Sequence, residues 1–343
     1  MKQRVLIVDD SPFIRRMLAD LIKGEPDFEV VGTAGDGDEA IRLVKELRPD
    51  LVTMDVEMPR RDGLSALEEI MRDRPTAVLM VSSVTTQGAA ATIRALELGA
   101  YDFVTKPQGS SGLRFIEARA EVLEKLRAAK LVRLSQSRQP AIPASLPAGG
   151  SDSVVVIAAS TGGPRALQTV FESLPVGFPA PILLVQHMPP GFTASFAARL
   201  NSIGTVPVKE AQHGDRVVAG LALVARGGMH MRVCSGGTIE LSEDAPIHGV
   251  RPAADPLFIS ALDVYGSRLV GAVLTGMGRD GAEGAVALRR RGCLVLGESE
   301  QTCTIYGMPR AAKESGGLSS EHPIDEIGRA LVDAVAGRAR RAS

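Results

Sequence analysis

Three residues in the second half of the chain have the types that hydrolytic chemistry needs: Ser160, His187 and Asp280. Ser160 follows an apolar run, Val154 to Ala158, that reads as a buried strand, and it precedes Thr161-Gly162-Gly163-Pro164. Proline is favoured at a first helical position, where its missing N–H has no partner to lose. The serine is therefore expected on a turn between a parallel strand and a helix N-terminus. Ligands bind at that edge of open α/β sheets, and the helix end offers free N–H donors and a partial positive charge to an oxyanion. His187 ends a second apolar run, Pro181 to Gln186. Asp280 follows a third, Leu269 to Leu274, across the loop TGMGR. A serine needs a base to attack at neutral pH, and histidine suits that task. A carboxylate on the far ring nitrogen fixes the tautomer and stabilises the imidazolium.

Taken singly, each residue also fits a plainer role. Ser160 could cap its helix, His187 could be a surface or hydrogen-bonded core residue, and Asp280 could cap the next helix. The chain order Ser, His, Asp matches none of the chymotrypsin, subtilisin or α/β-hydrolase orders, and there is no G-x-S-x-G elbow. The loop TGMGRDG lacks both G-x-G-x-x-G spacing and the lysine of a phosphate-binding P-loop. The other histidines, His213, His230, His248 and His322, form no metal-ligand spacing.

A second set lies in the first half: Asp9, Asp10, Asp55, Ser82 and Lys106. Each follows or ends a short apolar run, at Val5 to Val8, Leu51 to Met54, Val78 to Val81 and Tyr101 to Val104. Three carboxylates converging at one sheet edge repel one another, and a hard cation such as Mg²⁺, with Lys106 opposite, would compensate. A carboxylate so placed is suited to attack a phosphoryl group.

The elements that position these residues alternate strand and helix throughout. Ser11-Pro12 reads as a cap and first helical residue, and Ile14, Met17, Leu18, Leu21 and Ile22 follow at helical spacing. Five such repeats predict a doubly wound parallel sheet over residues 1–134. An amphipathic helix carrying Leu113, Ile116, Leu123 and Leu126 follows. Residues 135–152, rich in Ser, Pro, Ala and Gly, read as a flexible linker. Alternation resumes over 153–343. Val217 to Val224 and Met231 to Leu241 read there as a β-hairpin excursion from a second α/β sheet.

With 343 residues, two domains are the expectation. The formal charge is −1, with acids and bases interspersed, which argues against a nucleic-acid binder. No run is long enough to span a membrane, and MKQRVLIVDDS lacks the features of a signal peptide. A cytoplasmic protein with no membrane insertion is expected. Cys234, Cys293 and Cys303 are too scattered for a disulfide framework or a CxxC site.

The segments VDDS, MDVEMPRRDG, VSS and TKP resemble the receiver domain of bacterial response regulators, a flavodoxin-like fold, over residues 1 to about 125. The resemblance implies that a histidine kinase phosphorylates Asp55, that Asp9, Asp10 and Asp55 hold Mg²⁺, and that Ser82 and Lys106 contact the phosphoryl group. Phe103 stands at the aromatic switch position, where tyrosine is common.

The segments IAASTGGP, VQHMPPGFTASFAARLN, VRPAADPLF, LTGMGRDGAEG and YGMPRAA resemble the catalytic domain of the chemotaxis protein-glutamate methylesterases, CheB. That resemblance implies hydrolysis of glutamyl methyl esters on methyl-accepting chemotaxis receptors, releasing methanol, and often deamidation of receptor glutamines. It implies a kinase of the CheA type as phosphodonor and no cofactor for the hydrolysis. Ser160 is then the nucleophile, His187 the base and Asp280 the orienting acid. Thr161 lies beside the nucleophile, and the Met277 N–H is an oxyanion donor. The chain departs from the family pattern at Ala158, at Ala225-Arg226-Gly227 and at Glu298-Ser299. Joining a phospho-acceptor domain to an enzyme by a linker leads to the expectation that the receiver shields the Ser160 edge until Asp55 is phosphorylated. The alternative is a non-catalytic, phosphorylation-gated interaction protein, which needs no reactive serine.

Overall fold

The computed structural model describes residues 2–83, 85–106, 112–133 and 152–342. The chain divides into two compact units, Met1–Leu134 and Ser135–Ser343. The expected linker, apart from Asp152, lies outside the described residues, as does Pro107 of the TKP segment.

The first unit runs β1 (Gln3–Val8), α1 (Pro12–Lys23), β2 (Phe28–Ala34), α2 (Gly37–Leu47), β3 (Leu51–Asp55), α3 (Gly63–Asp73), β4 (Ala77–Ser82), α4 (Thr86–Leu98), β5 (Asp102–Thr105) and α5 (Gly112–Ala128). All five strands are parallel, in the order β2-β1-β3-β4-β5. The order reverses between β1 and β3, so the ends of those strands frame the crevice where ligands bind in such sheets. Helix starts are set by short polar side chains. Ser11 caps α1 ahead of Pro12, Asp36 caps α2, Asp62 caps α3 and Thr85 caps α4, each accepting a first-turn N–H. At Gly63 a β-carbon would collide with the Asp55 carbonyl. That close approach brings the start of α3 against the end of β3.

The second unit runs β6 (Val154–Ala159), α6 (Gly163–Ser173), β7 (Ile182–Gln186), α7 (Thr193–Ile203), β8 (Val208–Glu210), β9 (Ala222–Val224), β10 (His230–Cys234), β11 (Thr238–Ser242), α8 (Ala254–Tyr265), β12 (Leu269–Val273), α9 (Ala282–Arg290), β13 (Leu294–Glu298), α10 (Met308–Glu314), β14 (Ser320–His322) and α11 (Ile324–Ala342). Seven parallel strands form one sheet in the order β14-β13-β12-β6-β7-β9-β8. The central strands β6, β7 and β12 are buried along their whole length, as a parallel sheet covered on both faces requires. On one face Val156, Ala158 and Val185 pack with Phe258 of α8 and with Ala282 and Ala285 of α9. Ala158, one of the departures from the family pattern, is an ordinary buried strand residue.

The hairpin expectation is half right. β10 and β11 form a separate two-stranded antiparallel sheet. The segment before them meets β11 only at its start, where Arg216 and Thr238 form an antiparallel bridge, and its end, Ala222–Val224, enters the main sheet between β7 and β8. All three residues of β9 are buried, and three residues are too few for periodicity to reveal a strand. Among the described residues no helix is long and apolar enough to cross a membrane.

Candidate active site and phospho-acceptor site

β6 and β12 are neighbours, so the turns that follow them touch. Ser160 N–H donates to the Thr275 carbonyl at 3.0 Å, and the Ser160 carbonyl accepts the Gly163 N–H at 2.7 Å. Gly162 has φ +79 and lies against Thr304, where a β-carbon would collide. The turn can therefore close only with glycine there.

β7 delivers His187 to the other side of Ser160. The His187 N–H donates to the Ala159 carbonyl at 3.0 Å. Gln186 Nε2 then ties the two strand ends together, donating to the carbonyls of Ser160 at 2.9 Å and His187 at 3.0 Å.

The His187 ring meets Asp280 through Nε2, 2.6 Å from Oδ2. Asp280 is 2% exposed and sits on the N-terminus of α8. It accepts the Ala254 N–H at 2.6 Å, the Asp255 N–H at 3.1 Å and its neighbour Gly281's N–H at 3.0 Å. Burial works against its charge, but His187 and these N–H groups outweigh it and hold the carboxyl below the usual aspartate range. Burial and then the Asp280 charge push neighbouring Asp255 up, against the Gly284 N–H. His248, Asp255 and Asp280 lie within ligand distance of one another. Both Asp280 oxygens are already engaged, which assigns that group to hydrogen bonding and not to metal.

Ser160, His187 and Asp280 thus gather at one sheet edge. The His187–Asp280 bond is formed, whereas Ser160 Oγ has no hydrogen-bond partner among the described residues. Catalytic hydrogen bonds commonly tighten only when substrate binds. Thr161 is buried beside the serine, and its carbonyl lies 2.9 Å from Thr275 Oγ1. The Met277 N–H has no acceptor among the described residues, so it is free to serve an incoming oxygen.

Gln186 and the α8 N–H groups are functional neighbours that the sequence pattern did not single out. A polar residue closing an otherwise apolar strand was the one available signal for Gln186.

In the first unit, Asp55 is 2% exposed, and Lys106 Nζ lies 2.7 Å from its Oδ2 and 3.0 Å from Asp9 Oδ2. Oxygens of Asp9, Asp10 and Asp55 lie within 4.8 Å of one another. Burial pushes the Asp55 carboxyl up to about 6; Lys106 lowers it and Asp9 raises it. A cavity of about 660 Å³ opens over the site, lined by Asp10, Asp55, Glu57, Met58, Ser83 and Lys106 among others. One ammonium does not balance three carboxylates. Asp9 Oδ2 is also buried without a well-aligned hydrogen bond, despite the nearby Lys106. An all-oxygen donor set with surplus negative charge fits a hard divalent cation such as Mg²⁺. Ser82 is placed differently from the rest. Its hydroxyl is fully buried, 2.6 Å from Thr92 Oγ1 of α4, and Ser83 takes the cavity wall. Phe103 is buried with Lys125 Nζ 5.2 Å from its ring centre.

Both halves of the chain resemble known proteins. The family model for CheB methylesterase matches residues 155–331, and that for the response regulator receiver domain matches residues 5–116. Among curated relatives named protein-glutamate methylesterase/protein-glutamine glutaminase, the Pyrococcus abyssi protein is 46% identical over 97% of this chain and 94% of its own length. The Thermotoga maritima protein is 44% identical over 97% and 98%, and the Salmonella typhimurium protein 42% over 99% of each. The crystal structure of the Thermotoga maritima CheB methylesterase catalytic domain superposes with a TM-score of 0.52 at 40% identity, covering 55% of this chain and 100% of that one. With both domains matched and relatives aligned almost end to end, the chain belongs to the CheB family of receiver-linked methylesterases.

Proposed function

We propose that the protein is a phosphorylation-regulated serine hydrolase that removes methyl esters from glutamate side chains of methyl-accepting chemotaxis receptors, and that it deamidates receptor glutamines at the same site. The observation that carries this reading is the 2.6 Å bond between His187 and Asp280 at the sheet edge that also holds Ser160. With Nε2 bound to Asp280, Nδ1 is the ring atom left to take the Ser160 proton as Oγ attacks the ester carbonyl. The tetrahedral oxygen lies toward the Met277 N–H and the start of α6; one lost donor of this kind typically costs about 10²–10³ in turnover. His187 returns the proton to the departing methoxide, releasing methanol. It then deprotonates a water that attacks the acyl-enzyme and frees the glutamate. A primary amide follows the same path with ammonia as leaving group.

In the receiver unit, Asp55 is the phosphoryl acceptor, and Asp9, Asp10 and Asp55 are the residues to hold Mg²⁺. When bound, that ion supplies charge neutralisation on the transferring oxygens. Lys106 supports the same charge from its side. The phosphodonor is a histidine kinase of the CheA type, and the protein works in the cytoplasm, where the receptor helices carrying the esters are exposed. Phosphorylation of Asp55 raises the hydrolytic rate of the second unit.

The test is methanol release from receptor membranes carrying tritiated methyl esters, with and without a small-molecule phosphodonor. Ser160→Ala should abolish release while Asp55 still takes up phosphoryl. Undiminished release from that variant rejects the nucleophile. Rates unchanged by the phosphodonor reject the regulation.

A further inference from the structure

Glu298 ends β13 at the edge where the Ser160 turn lies. It is 1% exposed. Its Oε2 accepts the Thr275 N–H at 2.8 Å and its Oε1 accepts the Thr302 hydroxyl at 3.1 Å, with the Cys303 thiol also in contact. The titratable groups on the elements packed against β13 are, among the described side chains, Glu283, Arg289 and Arg290 of α9, Arg310, Lys313 and Glu314 of α10, Glu321 and His322 of β14, and Asp325, Glu326, Arg329 and Asp333 of α11, with Glu300, Cys303 and Tyr306 in the following turn. None acts as a counter-charge on Glu298, whose carboxyl meets only the Thr275 N–H, Thr302 and Cys303. Lys313 and Tyr306 are engaged by Glu321, and His322 by Ser320.

The bond to Thr275 reaches the nucleophile directly. The Thr275 carbonyl accepts the Ser160 N–H at 3.0 Å, and its Oγ1 lies 2.9 Å from the Thr161 carbonyl and accepts the Ile305 N–H at 3.0 Å. Thr275 also stands two residues before Met277. We propose that Glu298 is a positioning residue for the hydrolysis: by holding the Thr275 peptide it sets the backbone on both sides of Ser160 and the aim of the Met277 N–H, and it serves turnover as the neutral acid. The inference rests on Ser160 being the nucleophile.

The neutral form keeps Oε2 as acceptor for Thr275 and donates from Oε1 to Thr302. The ionised form leaves a bare negative charge behind the turn where an oxyanion must be held, and like charges repel strongly in a low-dielectric interior. Burial pushes the Glu298 carboxyl up to about 7, so both forms are populated near neutrality.

The experiment measures kcat and KM for methanol release by the full chain from about pH 6 to about pH 9. Wild type should lose turnover on the alkaline side. Glu298→Gln keeps an acceptor for Thr275 but cannot ionise. It should lack that fall and exceed wild type several-fold at the alkaline end, with KM unchanged. Glu298→Leu strands the Thr275 N–H and should lower kcat roughly tenfold or more at every pH, again at constant KM. Superimposable alkaline limbs for wild type and Glu298→Gln overturn the proposal, as does an effect confined to KM. If Glu298→Leu does not fold, the Glu298→Gln profile decides alone. Ser160→Ala, run in parallel, separates failure of the nucleophile assignment from failure of this one.

Discussion

His187 presents Nε2 to Asp280 Oδ2, at 2.6 Å. In the serine-protease template the carboxylate holds the other nitrogen, Nδ1. The carboxylate thus takes the opposite ring nitrogen here, which in the proposed mechanism leaves Nδ1 for the serine. Asp280 accepts from three backbone N–H groups as well as from the ring, so an amide cannot replace it without turning an NH₂ toward a donor. Asp280→Asn should lower kcat by about 10⁴, the loss seen when the equivalent carboxylate is replaced in that template. Steady-state methanol release measures this. A loss of less than about tenfold would remove Asp280 from the orienting role.

Gly276 has no room for a side chain. A β-carbon there would lie 2.7 Å from Ser160 Cβ and would overlap Met308 Sδ. Gly276→Ala must therefore push the Ser160 turn and α10 apart. A displacement near 1 Å at a reacting centre costs about 10² in rate. The expected result is a kcat loss of that order with the fold intact, read from methanol release alongside a thermal melt. Wild-type turnover in Gly276→Ala would mean that the serine's placement tolerates the shift.

Much of this site is legible in the sequence because a parallel sheet exports its chemistry to one edge. Ser160, His187 and Asp280, like Asp9, Asp55 and Lys106, stand out as polar residues just beyond apolar runs. Position along a strand is a local property, and local patterns record it. The supports are not local. Glu298 holds Thr275, Asp255 and Ala254 hold Asp280 through backbone N–H groups, and Gln186 bridges two turns. Each contact spans more than twenty residues and leaves no periodic trace. The same limit hides β9, whose three buried residues gain a strand's geometry only from β7 and β8 beside them. The burial of the Ser82 hydroxyl against Thr92 is likewise a matter of helix placement. Its residue type and strand-end position gave no hint of it.

Metal removal should separate the two units' chemistries. The receiver cluster carries three carboxylates and one lysine, so the proposed phosphoryl transfer to Asp55 should require a divalent cation to offset the charge. At the Ser160 edge the oxygens of Asp280 are taken up by His187 and three backbone N–H groups, so this carboxylate does not call for a cation. Treatment with a chelator should abolish phosphoryl uptake from a small-molecule donor while leaving unstimulated methanol release unchanged. Added Mg²⁺ should restore uptake. Loss of unstimulated methanol release under chelation would place a metal in the hydrolytic site.

Glu298 also gives the catalytic unit a pH-dependent stability of defined sign. Burial raises its folded pKa to about 7, above an ordinary value of 4.5. Between those values the folded protein binds a proton that the unfolded chain has lost, so stability falls as pH rises. The contribution is fully present below the unfolded value and is lost as pH climbs through the folded one. Its ceiling is on the order of 3 kcal/mol, from 1.36 kcal/mol per pKa unit. Glutamine mimics the neutral acid and does not ionise. Glu298→Gln should therefore match wild type near pH 5 and unfold at a higher temperature than wild type near pH 8. The transition that abolishes methanol release on heating reports the relevant unit. If wild type is instead the more stable of the two at the alkaline pH, the carboxylate is held as an anion in a stabilising bond with a cation in reach.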